Sequence, residues 1–142
     1  SRSPKERTMN PFQFNQNPKD KSCGWRCLHY IYPITINYED FLKKYDEFMP
    51  LKSGIWFKNI CSVLNYHGVK YKFTIPKEKG LFLIWSGTWD SAGGHYFIYH
   101  NQTMFDSLEG KESPLSVQAL IEKLETTNVK DHFVCMQILE RD

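Results

Sequence analysis

Long hydrophobic runs are missing from this 142-residue sequence. No apolar stretch approaches the ~18 residues that a membrane-spanning helix needs, and no signal peptide opens the chain. An excess of one charge is also missing. With 18 Lys+Arg against 16 Asp+Glu the formal net charge is only +2. No basic stripe is present, so nucleic acid is not expected as the main partner. Internal repeats and low-complexity tracts are absent too. Cysteines are few, at positions 23, 27, 61 and 135. An even count is compatible with disulfides, but a chain of this length buries a core without them. The thiols are therefore expected to be reduced, in the cytoplasm or a host-cell cytosol.

What is plentiful is aromatic: 15% Phe, Trp and Tyr, within 41% hydrophobic and 24% charged residues. That balance is globular rather than disordered, and the length fits one domain. Residues 1–12 are expected to form a flexible arm, with Ser1-Arg2-Ser3 resembling a cloning remnant, and 13–142 a single domain. The polar lead-in continues to residue 22 and carries Pro4, Pro11, Pro18 and the amide cluster Asn15-Gln16-Asn17.

The periodicities place helices first. Ser22 suits the N-cap of a helix starting at Cys23 and stopped by Pro33. Phe41, Leu42, Tyr45 and Phe48 mark a second helix over 38–49. Trp56, Ile60, Val63, Leu64 and His67 mark a third over 53–67, with Gly68 at the left-handed position after its end. Alternation then takes over. Val69, Tyr71, Phe73 and Ile75 form one side of a strand, and 81–85 reads as a buried strand. Residues 96–100 and 103–108 form a hairpin around Asn101-Gln102. A helix after Pro114 points Val117, Leu120, Ile121 and Leu124 inward, and the final strand covers 132–139. Helices followed by a mostly antiparallel sheet give an α+β fold, the helical part packed on the sheet.

The most reactive feature is Lys21-Ser22-Cys23-Gly24-Trp25-Arg26-Cys27-Leu28. A thiol in the first turn of a helix meets free N–H groups and the positive end of the helix dipole, both of which favour thiolate. Gly24 leaves the approach to the sulfur open. Upstream amides at Gln13, Gln16 and Asn17 are candidate oxyanion donors. A nucleophilic thiol needs a base. Of the five histidines, only His95 follows a flexible approach, Trp89-Asp90-Ser91-Ala92-Gly93-Gly94, and opens an apolar strand. The hairpin then supplies an orienting group. A two-residue turn pairs His100 with Thr103, and counting outward pairs Phe97 with Asp106. His95 shares a face with Phe97, so His95 and Asp106 become diagonal neighbours at roughly 7–8 Å.

Each residue also has a plainer reading. A helical cysteine is most often a small buried hydrophobe, a strand-end histidine a surface or packing residue, and Trp25 an anchor rather than a wall for substrate. It is the combination, in this order along the chain, that points to catalysis.

The order of Cys at a helix start, Gly-His before a strand and Asp on the next strand resembles the papain-like cysteine peptidases. The segment from Asn15 to Leu28 is similar to the nucleophile segment of the double-glycine leader peptidases. The wider layout, over about residues 13–139, resembles Josephin-type deubiquitinases and proteases of ubiquitin-fold modifiers. The resemblance implies Cys23 as nucleophile, His95 as base and then acid, and Asp106 as orienting residue. It implies Gln16 as oxyanion donor, although Gln16 stands seven residues before the cysteine and Asn17 six. Trp25, Trp89, Gly93 and Gly94, with Gly24, would line the path of an extended protein or peptide tail, such as that of ubiquitin or a ubiquitin-like protein. No cofactor is required. The alternatives are a catalytically inactive papain-like binding module, or a zinc-stabilised one using Cys23, Cys27, Cys61 and His67. In a continuous helix the last two point ~120° apart, which disfavours shared metal ligation.

Overall fold

The computed structural model describes residues 23–32, 43, 57–87, 95–106, 111–127 and 132–139. It contains helix α1 (Cys23–Ile31), helix α2 (Phe57–Tyr66), strands β1 (Tyr71–Phe73), β2 (Leu81–Gly87), β3 (His95–His100), β4 (Thr103–Asp106) and β5 (Lys111–Pro114), helix α3 (Val117–Thr127) and strand β6 (His132–Ile138). The six strands form one antiparallel sheet in the order β1-β6-β2-β3-β4-β5. The fold is therefore α+β. None of the described helices is long and apolar enough to cross a membrane.

The sheet is covered on both faces, an arrangement that the sequence reading leaves open because it assigns no face to the helix after Pro114. On one face, Leu28 and Tyr30 of α1 and Ile60, Val63 and Leu64 of α2 pack with Leu83, Tyr96, Ile98, Phe105 and Met136. On the other, Leu120 and Leu124 of α3 pack with Phe82, Ile84, Phe97, Tyr99, Met104 and Cys135. Central strands β2 and β3 therefore bury consecutive residues, which explains their unbroken apolar runs. Inward Leu120 and Leu124 agree with the helical spacing after Pro114, whereas Val117 and Ile121 are only half-buried.

Gly68 closes α2 as expected, at φ +68°. Its N–H donates to the Asn65 carbonyl at 3.1 Å and the Val69 N–H to the Leu64 carbonyl at 2.9 Å, the paired bonds of a Schellman turn. Of the third helix, expected over 53–67, Phe57–Tyr66 is helical and residues 53–56 lie outside the described set. Of the second helix, over 38–49, all but Lys43 lies outside it as well. So does the 1–12 arm.

Two strands differ from expectation. β1 spans only Tyr71–Phe73 at the sheet edge, and the stripe of Val69, Tyr71, Phe73 and Ile75 does not stay inside. Val69 is buried, Tyr71 half-buried, and Phe73 and Ile75 are 60% and 64% exposed. β5 is an additional edge strand made of Lys111, Glu112, Ser113 and Pro114. None of its four residues has a large apolar side chain, so no hydrophobic pattern marks it.

The hairpin between β3 and β4 has the expected two-residue turn and register over its first three pairs, with β4 described only as far as Asp106 and 107–108 outside the described residues. His100 pairs with Thr103, Tyr99 with Met104 and Ile98 with Phe105. Asn101 and Gln102 have φ of +49° and +62°, the left-handed pair of a type I′ turn. The turn is held to its neighbours. The Gly80 N–H donates to the Asn101 side chain at 3.0 Å. The Asn101 N–H donates to the Gly80 carbonyl at 3.1 Å, and the Leu115 N–H to that of Gln102 at 3.0 Å.

Candidate active site

Cys23, His95 and Asp106 come from three elements that the packing brings to one end of the sheet. Cys23 is the first residue of α1, so its own N–H belongs to the first turn, where the helix leaves its donors unused. His95 is the first residue of β3 and Asp106 the last of β4. Because the turn has two residues, the antiparallel register sets the two side chains diagonally across the hairpin. There the His95 Nε2–H donates to Asp106 Oδ1 at 2.8 Å. Both side chains are mostly shielded, at 24% and 16% exposure, which strengthens the bond over one in open water.

With Nε2 committed to the carboxylate, Nδ1 is the ring nitrogen left over, and Cys23 lies near enough to the His95 side chain to raise its basicity. Burial by itself would make the imidazole less basic. The Asp106 hydrogen bond, the interaction with Cys23 and the negative charge of both partners outweigh it, and the His95 pKa rises to about 9. At neutral pH the ring is therefore held in its charged form, with an N–H on each ring nitrogen.

The other three thiols lie in different surroundings. Burial raises Cys27 well above the ordinary thiol range, and the neighbouring Cys23 and Asp106 charges add to it. Burial also raises Cys61, against the lowering effect of a hydrogen bond from Tyr71. Cys135 is pushed up to about 12 by burial alone. All four cysteines are free, and Cys23 alone is placed against an imidazolium.

Gly24 is buried in the first turn of α1, and half-buried Trp25 packs beside the His29 ring at 5.6 Å with the Arg26 guanidinium 5.8 Å above it. Gln16 and Asn17, with Gln13, lie outside the described residues, as do Trp89, Gly93 and Gly94. The zinc alternative finds no support in the placement of its ligands. Cys61 is engaged with Tyr71, and His67 stacks on Tyr32 at 4.5 Å. Among the described residues no cluster of His, Cys, Asp and Glu is arranged to hold a metal ion.

Two residues that the sequence did not single out help to build the site. Tyr30, buried in α1, shares a 2.8 Å hydrogen bond with His100 Nδ1 at the far end of β3 and packs on Phe105 at 5.0 Å. It thereby fixes the helix bearing Cys23 against both strands of the hairpin. Tyr96, next to His95, lies beneath the helices. Burial first, then the charges of Cys23, Cys27 and Cys61, push its phenol up and keep it neutral. The only signal for Tyr30 was its helical spacing from Cys23 and Cys27, which marks a face and not a partner. No protein-family model matches the chain, and no curated protein or solved structure shows significant similarity to it.

Proposed function

We propose that this chain is a cysteine peptidase with a papain-like arrangement, cleaving a peptide or isopeptide bond through Cys23, His95 and Asp106. The observation that carries the reading is the His95–Asp106 bond of 2.8 Å with the Cys23 thiol near the same ring. A nucleophile, a base within reach and a group that orients the base form the constellation for acyl transfer.

In the proposed cycle the Cys23 sulfur attacks the carbonyl carbon, and the oxygen that becomes negative faces the free N–H groups of the first turn of α1. Gln16, with Asn17 in reserve, is the proposed side-chain donor to the same oxygen. His95 gives its Nδ1 proton to the leaving amine as the C–N bond breaks. It then takes a proton from water as the water oxygen attacks the thioester carbon, and the C–S bond breaks to release the acid and return the Cys23 sulfur beside the protonated ring. Asp106 holds the ring and its charge throughout, without itself becoming protonated. The same residues would also cleave side-chain amides or thioesters. The proposed substrate is a protein with an extended tail, and ubiquitin, ubiquitin-like proteins and precursor polypeptides are the classes to test.

Replacement of the nucleophile tests the reading. Cys23→Ala should leave the fold intact and abolish cleavage, and His95→Ala should retain residual activity at most. A panel of tail probes with C-terminal electrophiles, including ubiquitin-like proteins, identifies the substrate class. Full activity in Cys23→Ala would eliminate the covalent mechanism.

A further inference from the structure

The strand that leaves its stripe exposed points toward the same end of the sheet as Cys23. Phe73 pairs with Met136, and the Thr74 N–H still donates to the Cys135 carbonyl at 3.1 Å. The chain therefore runs on past Phe73 toward the end where Trp85 pairs with Tyr96 and Ser86 with His95. Ile75 is the next residue on the Phe73 side, 64% exposed. Phe57 connects this edge to the site, stacking on Tyr96 at 6.3 Å and lying 5.8 Å from the Phe73 ring. From β3 to β1 is three strand spacings, about 14 Å, or about four residues of extended chain.

The charge of this segment is one-sided, with Lys70 and Lys72 alternating onto the face opposite Phe73 and Lys77 and Lys79 following Ile75 along the chain. Between Gly68 and Gly80 stand Lys70, Lys72, Lys77 and Lys79 against Glu78 alone, a local balance of +3 (4 − 1) where the whole chain has +2. All five are exposed, as is Lys58 on α2. β1 is also poorly suited to accepting another strand. It is three residues long, has Lys72 at its centre, and runs into Pro76, features that guard a sheet edge. A partner here is held by side chains and charge rather than by backbone pairing.

We propose that Phe73 and Ile75, with the exposed Lys77 and Lys79 that follow them, form a docking surface for the polypeptide substrate. They receive a large apolar side chain flanked by Asp or Glu, about four residues from the bond that Cys23 attacks. This inference rests on the peptidase reading, and it names the class of sequence that the site selects.

Binding can be measured apart from cleavage, on the Cys23→Ala protein. The probes are three fluorescein-labelled dodecapeptides: one with a central Leu among Asp and Glu, one with Ser for Leu, and one with Lys for every acidic residue. Fluorescence anisotropy should show the acidic Leu peptide binding about tenfold more tightly than either control, and losing affinity as salt is raised. Phe73→Ser should weaken it about tenfold. The double variant Lys77→Glu, Lys79→Glu should do the same, with circular dichroism confirming that both are folded. Absence of binding, equal binding of the lysine peptide, or full binding by folded Phe73→Ser would overturn the proposal. So would a dimer seen by sedimentation and abolished by Phe73→Ser, because the surface would then belong to self-association. The alkylation rate of Cys23 in the unaltered chain reports on the peptidase reading separately.

Discussion

Replacing Asp106 with Asn keeps the shape of the side chain and removes the charge that holds the His95 proton. In the intact site the imidazole titrates at about 9, although burial opposes its charge. In Asp106→Asn the amide oxygen can still accept the Nε2–H bond, which measures 2.8 Å in the intact site, but as a neutral group. A hydrogen bond to a charged group contributes about 1.5–3 kcal/mol and a neutral one about 0.5–1.5. The difference of about 1–1.5 kcal/mol corresponds to roughly one pH unit, so His95 should titrate near 8 in Asp106→Asn. Stability moves with it. A folded-state pKa above the unfolded value of about 6.5 stabilises the protein fully below pH 6.5, and that contribution is lost as pH rises through about 9. Wild type should therefore lose stability between pH 6.5 and 9, and Asp106→Asn should lose less and lose it over a narrower window. The assay is the His95 ring proton followed by NMR from pH 5 to 10, with urea unfolding at matched pH. A His95 that titrates near 6.5 in wild type, or that does not move in Asp106→Asn, would refute the reasoning.

Asp106→Ala should lower kcat by 10- to 10⁴-fold with a smaller change in KM, because the carboxylate acts on the ring and not on the bound substrate; Asp106→Asn should retain more activity than Asp106→Ala. Limiting iodoacetamide followed by peptide mapping should label Cys23 before Cys27, Cys61 and Cys135, whose pKa values burial raises. Gln102→Gly should stabilise the protein by about 1 kcal/mol in thermal or urea unfolding, because a side chain at φ +62° bears a steric cost that glycine does not.

The parts of this molecule legible in sequence are those fixed by local rules. The parity of a two-residue turn is one such rule, and it is enough to set His95 against Asp106. The helix stop at Gly68 is another. The rules fail where a strand has no large apolar side chain to mark it, as in β5. They also fail to say how deep an alternating stripe lies. Val69 to Ile75 reads as one side of a strand, yet at the sheet edge only Val69 is buried, and Phe73 and Ile75 stay 60% and 64% exposed although Phe57 lies beside the Phe73 ring. The bond between Tyr30 and His100 spans 70 residues, and no spacing rule reaches that far. The second covered face was legible in part. The unbroken apolar run over 81–85 reads as a buried strand and the helix after Pro114 as amphipathic, but no local rule says that α3 lies on the face opposite α1 and α2.

The central claim is that the Cys23 sulfur is the nucleophile and that His95 makes it so. The direct measurement is the intact mass and peptide map of the protein after brief reaction with a peptide vinyl sulfone at neutral pH. A single adduct on Cys23, absent in Cys23→Ala and at least tenfold slower to form in His95→Ala, is the result this account predicts. An adduct first on Cys61 or Cys135, or one on Cys23 that forms equally fast without the His95 imidazole, would contradict it.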